Sequence, residues 1–156
     1  MSIAIEFEPC QVHACDVSAE ALEYARRNVD AAGAADVVSL YQGDLGAAIP
    51  AQLAGAFDCI VSNPPYIPDQ LMGKLPQEVA AYEPTLALDG GADGLEVFHR
   101  LIPWAAASLK PGGLFACELF EESLDAALEI AFAVGFSSAE IKQDLTGRPR
   151  YLVAYR

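Results

Sequence analysis

The chain predicts an α/β fold built on a mostly parallel sheet, and three observations carry that expectation. Strand-like runs recur at residues 11–15, 37–41, 57–62 and 114–119. Helix-like segments with apolar residues three or four apart lie between them. The strands are predominantly apolar, as strands covered by crossover helices are. A chain of 156 residues with 53% apolar content has the size of a single domain over residues 1–156 and enough apolar surface for a core.

The elements follow in order. "QVHAC" at 11–15 reads as a short strand. Ser18 then caps a helix whose apolar face holds Leu22, Ala25 and Val29, and Gly33 ends it. "VVSLY" at 37–41 is β-branched and aromatic, hence strand. "FDCIVS" at 57–62 reads as a buried strand. Residues 64–94 break the rhythm and are expected to form a long, loop-rich connection of the kind that carries function. A helix over 95–109 places Leu95, Phe98, Ile102 and Ala105 on one face, and Pro103 should kink or restart it. "KPGG" at 110–113 reads as a turn and "LFACEL" at 114–119 as another buried strand. Glu121 and Glu122 open a helix with Leu124, Leu128, Ala131 and Val134 inside and Gly135 after it. "SAEIKQDL" and "RYLVAYR", flanking "TGRP", form two antiparallel strands at the sheet edge.

Charge and composition narrow the function. Nine basic and 22 acidic residues give a net charge of −13, poorly suited to gripping phosphate backbones, so direct nucleic-acid binding is not expected. No apolar run reaches membrane-spanning length. The start carries Glu6 and Glu8 rather than basic residues, so it does not read as a secretory signal, and a cytoplasmic protein is expected. Cys10, Cys15, Cys59 and Cys117 match no zinc spacing, and the last three sit in apolar runs as small hydrophobes. His13 and His99 read as structural, so no metal is expected.

In open α/β sheets ligands bind beyond the carboxyl ends of the strands. Asp16 follows the first strand, Asp44 lies just past the second, and Asn63 follows the third. A carboxylate in that place can accept both hydroxyls of a ribose, and a second can accept from an adenine amino group. The same residues also suit turns and helix caps.

Asn63-Pro64-Pro65-Tyr66 is the sharpest feature. Two prolines fix φ and remove two donors, leaving carbonyls free. Asn63, before a proline, is biased to extended backbone. The loop therefore offers the Asn63 side-chain carbonyl, one or two backbone carbonyls and an aromatic face. Two angled acceptors can take both N–H groups of a planar NH₂, and Tyr66 can stack on it. An amide or an aromatic amine fits. Residues 90–94, "GGADG", lack the G-x-G-x-x-G spacing and read as a turn before the next helix.

"NPPY" after a strand resembles the signature of S-adenosylmethionine-dependent amino-methyltransferases. These include adenine-N6 enzymes and the HemK/PrmC-type glutamine methyltransferases that act on peptide-chain release factors. "YEPTLALDGGADGLEVFHRLI", "LKPGGLFACEL", "DLTGRPRYLVAYR" and "VHACDVSAEALEYARRNV" resemble segments of the release-factor type, across nearly the whole chain. The resemblance implies a Rossmann-like class I methyltransferase sheet with an antiparallel C-terminal edge. It implies S-adenosylmethionine as cofactor, held by Asp16 at the ribose, Asp44 at the adenine amino group, Leu45 beside the ring, and Asn63. It implies that Asn63 and the Pro64 carbonyl orient the substrate glutamine amide, with Pro65 and Tyr66 as stacking walls and a release factor as the protein substrate.

The resemblance also places a first strand and a glycine-rich cofactor loop ahead of the Asp16 strand. "SIAIEF" resembles the helix that follows that loop. That strand is central in the family's sheet, between the strands ending in Asp16 and Asn63. Residues 1–156 alone are thus expected to leave strand edges unpaired, to self-associate or have low stability, and to bind the cofactor weakly or not at all. An adenine-N6 methyltransferase and a non-catalytic degenerate fragment are the alternative readings.

Overall fold

The computed structural model describes residues 1–7 and 9–156, and of residues 79–81 the backbone alone. Glu8 lies outside the described residues. The chain forms two compact units, Met1–Leu53 and Ala54–Arg156.

The first unit is a β-α-β crossover preceded by a helix. It contains α1 (Ser2–Glu6), β1 (Val12–Asp16), α2 (Ala19–Ala31) and β2 (Val38–Gln42). α2 starts where predicted: Ser18 has extended backbone and its Oγ accepts from the Ala21 N–H at 3.1 Å. Leu22 and Val29, two turns apart, are the buried face of α2. Gly33 closes the helix with φ of 65°, a left-handed value that glycine adopts without a Cβ penalty. β1 and β2 pair in parallel from Val12↔Val38 to Asp16↔Gln42. Each lies one residue later than its apolar run, because the ladder opens at the Val12 N–H, which donates to the Val37 carbonyl at 2.8 Å. Ala4, Val29 and Ala34 form a small core, with Val12, Val37, Val38 and Leu40 packed on it.

The second unit holds a four-stranded sheet. Its elements are β3 (Phe57–Ser62), α3 (Asp69–Met72), α4 (Gln77–Tyr82), α5 (Glu96–Ser108), β4 (Leu109–Glu118), α6 (Leu124–Ala133), β5 (Ser138–Gln143) and β6 (Pro149–Tyr155). The strand order is β3-β4-β6-β5. β3 and β4 are parallel, whereas β6 runs antiparallel to both β4 and β5. The antiparallel C-terminal edge is thus as expected, with β6 inserted between β4 and β5. Phe98, Ile102, Leu109, Phe115, Leu119, Leu124 and Leu152 are fully buried. Phe115 joins α5 to the segment after α6, with ring centroids 6.4 Å from Phe98 and 5.9 Å from Phe136.

Four expectations need correction. The stretch over 64–94 carries short helical turns: α3, α4 and a 3-10 turn at Thr85–Ala87. α5 runs through Pro103 without restarting. The bond that Pro103 cannot make would go to the His99 carbonyl, and both residues are exposed, on the helix side that solvent can reach. "KPGG" lies within β4 as a bulge, with Gly112 at φ of 79° and the pairing with β3 jumping from Leu109 to Leu114. The Gly112 N–H donates to the Arg156 carbonyl at 2.8 Å, which ties the bulge to the end of β6. Finally, β3 is not fully buried: Val61 is 56% exposed and Cys59 is exposed, so Cys59 is not the core hydrophobe expected.

Among the described residues β1 pairs with β2 alone and β3 with β4 alone. Each therefore has a strand neighbour on one side only. Cys117, by contrast, is 1% exposed, and burial pushes its thiol far above the usual range.

Candidate functional site

The Asn63–Tyr66 loop leaves the carboxyl end of β3. Asn63 is exposed, Pro64 is buried, and Pro65 and Tyr66 are half-buried. Pro64, Pro65 and Pro68 lack an N–H, so this loop cannot be held by a continuous ladder. It is held at Ile67 instead, whose N–H donates to the Leu88 carbonyl at 2.9 Å and whose carbonyl accepts from the Gly90 N–H at 2.9 Å. The Tyr66 hydroxyl donates to Glu118 Oε1 at 2.9 Å. Glu118 ends β4, the strand parallel to β3, so the sheet register brings it beside the loop. Burial raises the Tyr66 phenol above its ordinary range, the hydrogen bond and charge of Glu118 raise it further, and Arg150 partly opposes them.

Asn63, Pro64, Tyr66, Ile67, Glu83, Ala87 and Leu88 line a partly open cavity of about 110 Å³. That is well short of the ~300–1,000 Å³ typical of a drug-sized ligand. It suits the end of one side chain. Of its lining residues Leu88 is buried, and Glu83 and Ala87 are exposed. Pro65 is not among the lining residues. A buried proline, an aromatic ring and one exposed amide can clamp a planar polar group while excluding water from one side.

The first unit holds the other predicted residues. Asp16 ends β1, and its Oδ1 accepts from the Ser18 N–H at 2.8 Å. It thus forms the turn that leads into α2, one of the two roles expected of it. Asp44 is exposed at the cap position of a 3-10 turn at Leu45–Ala48. Leu45 has φ of 50°, the one non-glycine residue with positive φ among those described. Such a conformation costs roughly 1–3 kcal/mol and persists where the surroundings impose it. The Leu45 carbonyl accepts from Cys15 Sγ at 3.2 Å, which fixes it against β1. Burial raises the Cys15 thiol, and the carboxylates of Asp16 and Asp44 raise it further. Both carboxylates are therefore within electrostatic reach of one sulfur. Asp16, Asp44 and Leu45 are brought together at the carboxyl ends of β1 and β2.

Sequence reasoning missed Glu118, Leu88 and Gly90. Glu118 was findable: it is a carboxylate at the end of an apolar strand, like Asp16 and Asn63. Leu88 and Gly90 carried no signal, because their role depends on how a long connection folds back. His13 pairs with Tyr41, Nδ1 to Oη at 3.0 Å, and among the described residues no His/Cys/Asp/Glu group could hold a metal ion. Nor, among them, is any helix long and apolar enough to cross a membrane.

The architecture is that of class I methyltransferases. A methyltransferase from Pyrococcus furiosus superposes with a TM-score of 0.67 at 28% identity, covering 98% of this chain and 66% of that one. The catalytic domain of human METTL16 superposes at 0.63 with 20% identity, over 93% of this chain and 55% of that one, a likeness of fold alone. A family profile described as "Methyltransferase small domain" matches residues 1–79, and the chain belongs to that family. Among curated relatives, the release factor glutamine methyltransferase of Moorella thermoacetica is 41% identical over all of this chain and 54% of its own length. The ribosomal protein uL3 glutamine methyltransferase of Bordetella pertussis is 45% identical over 76% of this chain and 39% of its own length. The chain spans about half the length of the curated relatives it matches.

Proposed function

We propose that this chain is part of an S-adenosylmethionine-dependent methyltransferase that acts on the side-chain amide nitrogen of a protein glutamine, with a release factor as the substrate. Residues 1–156 form, on this reading, one methyltransferase domain of a cytoplasmic protein. The observation that carries it is the small cavity at the end of β3, bounded by Asn63, Pro64 and Tyr66. The relatives named for glutamine methylation support the same substrate class.

The cofactor, when bound, supplies an electrophilic methyl group on a sulfonium. Its nucleoside end presents a ribose diol and an amino group, and the acceptor carboxylates of Asp16 and Asp44, with Leu45 beside them, match that chemistry. Asn63 and the Pro64 carbonyl accept the two N–H bonds of the substrate amide. Tyr66 flanks its plane, and Pro65 stiffens the turn. An amide nitrogen is a poor nucleophile because its lone pair is delocalised. Holding it in one orientation by two acceptors would therefore supply much of the rate. The two acceptors also stabilise positive charge as it grows on nitrogen before the proton leaves to solvent.

The adenine of an N6-methyltransferase substrate presents the same planar NH₂ to such a loop, but the net charge of −13 disfavours a nucleic-acid substrate. We expect residues 1–156 on their own to bind S-adenosylmethionine weakly, because Asp16 and Asp44, the acceptors that match it, are both exposed and water competes for them. Titration calorimetry checks this, and micromolar affinity contradicts it. We further propose that the open edges of β1 and β3 drive association with a second copy. Incubating a release factor with cofactor and a chain extended to its relatives' length, then mapping glutamine methylation by mass spectrometry, tests the main reading.

A further inference from the structure

We infer that residues 89–94 and Glu118 act together as a positioning clasp that fixes Tyr66 at both its backbone and its hydroxyl, and so sets the shape of the amide cavity. The inference rests on the reading of that cavity as the substrate-amide site. The sequence motif "GGADG" looks like a plain turn, and its glycines have a more particular reason.

A Cβ on Gly90 would lie 2.7 Å from both Cα and the carbonyl carbon of Tyr66. A Cβ on Gly94 would lie 2.5 Å from the Tyr66 carbonyl oxygen and 3.2 Å from Pro68 Cγ. Real side chains do not approach backbone so closely, so only glycine lets this segment press against the loop. Gly90 has no positive φ, so close approach alone demands glycine there. The contact is also bonded. The Gly90 N–H donates to the Ile67 carbonyl, the Ile67 N–H donates to the Leu88 carbonyl, and the Asp69 N–H donates to the Gly91 carbonyl at 3.0 Å. The clasp is itself anchored. Asp89 Oδ1 accepts from the Gly91 N–H and Asp93 Oδ1 from the Leu95 N–H, each at 2.9 Å, while Ser123 Oγ donates to the Asp93 carbonyl at 2.9 Å.

Glu118 grips the far end of the same residue through the Tyr66 hydroxyl. Tyr66 is thus held at its backbone by the glycine segment and at its hydroxyl by Glu118, from two different elements. Since three of the six residues from Asn63 to Pro68 are prolines, the loop has few donors of its own with which to hold this shape. Gly90, Gly94 and Glu118 are positioning residues.

The test uses residues 1–156 with Gly90→Ala, Glu118→Ala and Glu118→Gln, read by amide hydrogen exchange in NMR. Glutamine keeps an acceptor for the Tyr66 hydroxyl, so Glu118→Gln should match the unsubstituted chain. Glu118→Ala and Gly90→Ala should each speed exchange at Ile67 by about tenfold while Leu152 in β6 is unchanged. Ile67 unchanged in Glu118→Ala, or Ile67 and Leu152 accelerating together, overturns the clasp. Should Gly90→Ala fail to fold, the two Glu118 variants still decide. A second arm follows the Asn63 side-chain amide signal on adding N-acetylglutamine amide. A shift in the unsubstituted chain and Glu118→Gln, lost in Glu118→Ala, supports positioning of the amide, and an equal shift in all three contradicts it. No shift in the unsubstituted chain sinks the amide-site reading, while the exchange arm still decides the clasp.

Discussion

At the scale of single residues, Tyr66 joins structure to chemistry. Its hydroxyl bonds to a carboxylate, and solvent access to this half-buried pair keeps its worth near the lower end for charged hydrogen bonds. Tyr66→Phe should lower unfolding stability by about 1 kcal/mol in urea titration near neutral pH. The sign with pH follows from the raised phenol. The folded state holds its proton above the ordinary value of 10.0, so this contribution is full below that pH and is lost as pH rises through the folded value. The stability gap between the unsubstituted chain and Tyr66→Phe should therefore narrow above pH 10, and a gap that widens there contradicts the assignment. The residue scale also shows what a sequence can carry. Asn63, Pro64 and Tyr66 were legible because prolines and an amide have intrinsic geometry. Glu118 was equally legible by its strand-end position. Gly90 was not, since a glycine needed for close approach looks the same as one needed for a turn.

At the scale of elements, caps and periodicity were read well and irregular backbone was not. Ser18 caps α2 as its sequence predicts, and Ser18→Ala should cost about 1 kcal/mol in thermal or urea unfolding. An unchanged midpoint would show that the Oγ bond to Ala21 contributes nothing. β3 was placed to the residue, because an apolar run bounded by glycine and proline has unambiguous ends. α3 and α4 escaped notice because helices of four and six residues complete fewer than two turns, too few for a periodic pattern. "KPGG" reads as a turn because its composition is that of one. Its place inside β4 depends on the end of β6, which lies far along the chain. Burial of β3 was overestimated for a related reason: an apolar run predicts cover, but the cover must come from another element.

At the scale of the whole molecule, β1 and β3 each have a strand neighbour on one side only among the described residues. Exposed strand edges recruit strands, and Val61 and Cys59 add apolar surface beside one of them. Sedimentation of residues 1–156 should show species larger than one chain, growing with concentration. A stable single-chain species across that range removes the proposal of self-association. The acidic surface, with a net charge of −13, opposes that association through repulsion, so the larger species should gain population as salt is added.

Whether the loop from Asn63 to Tyr66 presents a protein glutamine amide for methyl transfer can be decided in a single assay. A chain extended to the length of its relatives is incubated with S-adenosylmethionine and a release factor, and glutamine methylation is mapped by mass spectrometry. One methyl group is expected on a glutamine side-chain nitrogen, abolished by Asn63→Ala with cofactor affinity little changed. Turnover that survives Asn63→Ala, or a chain that binds cofactor yet methylates no glutamine, would contradict it.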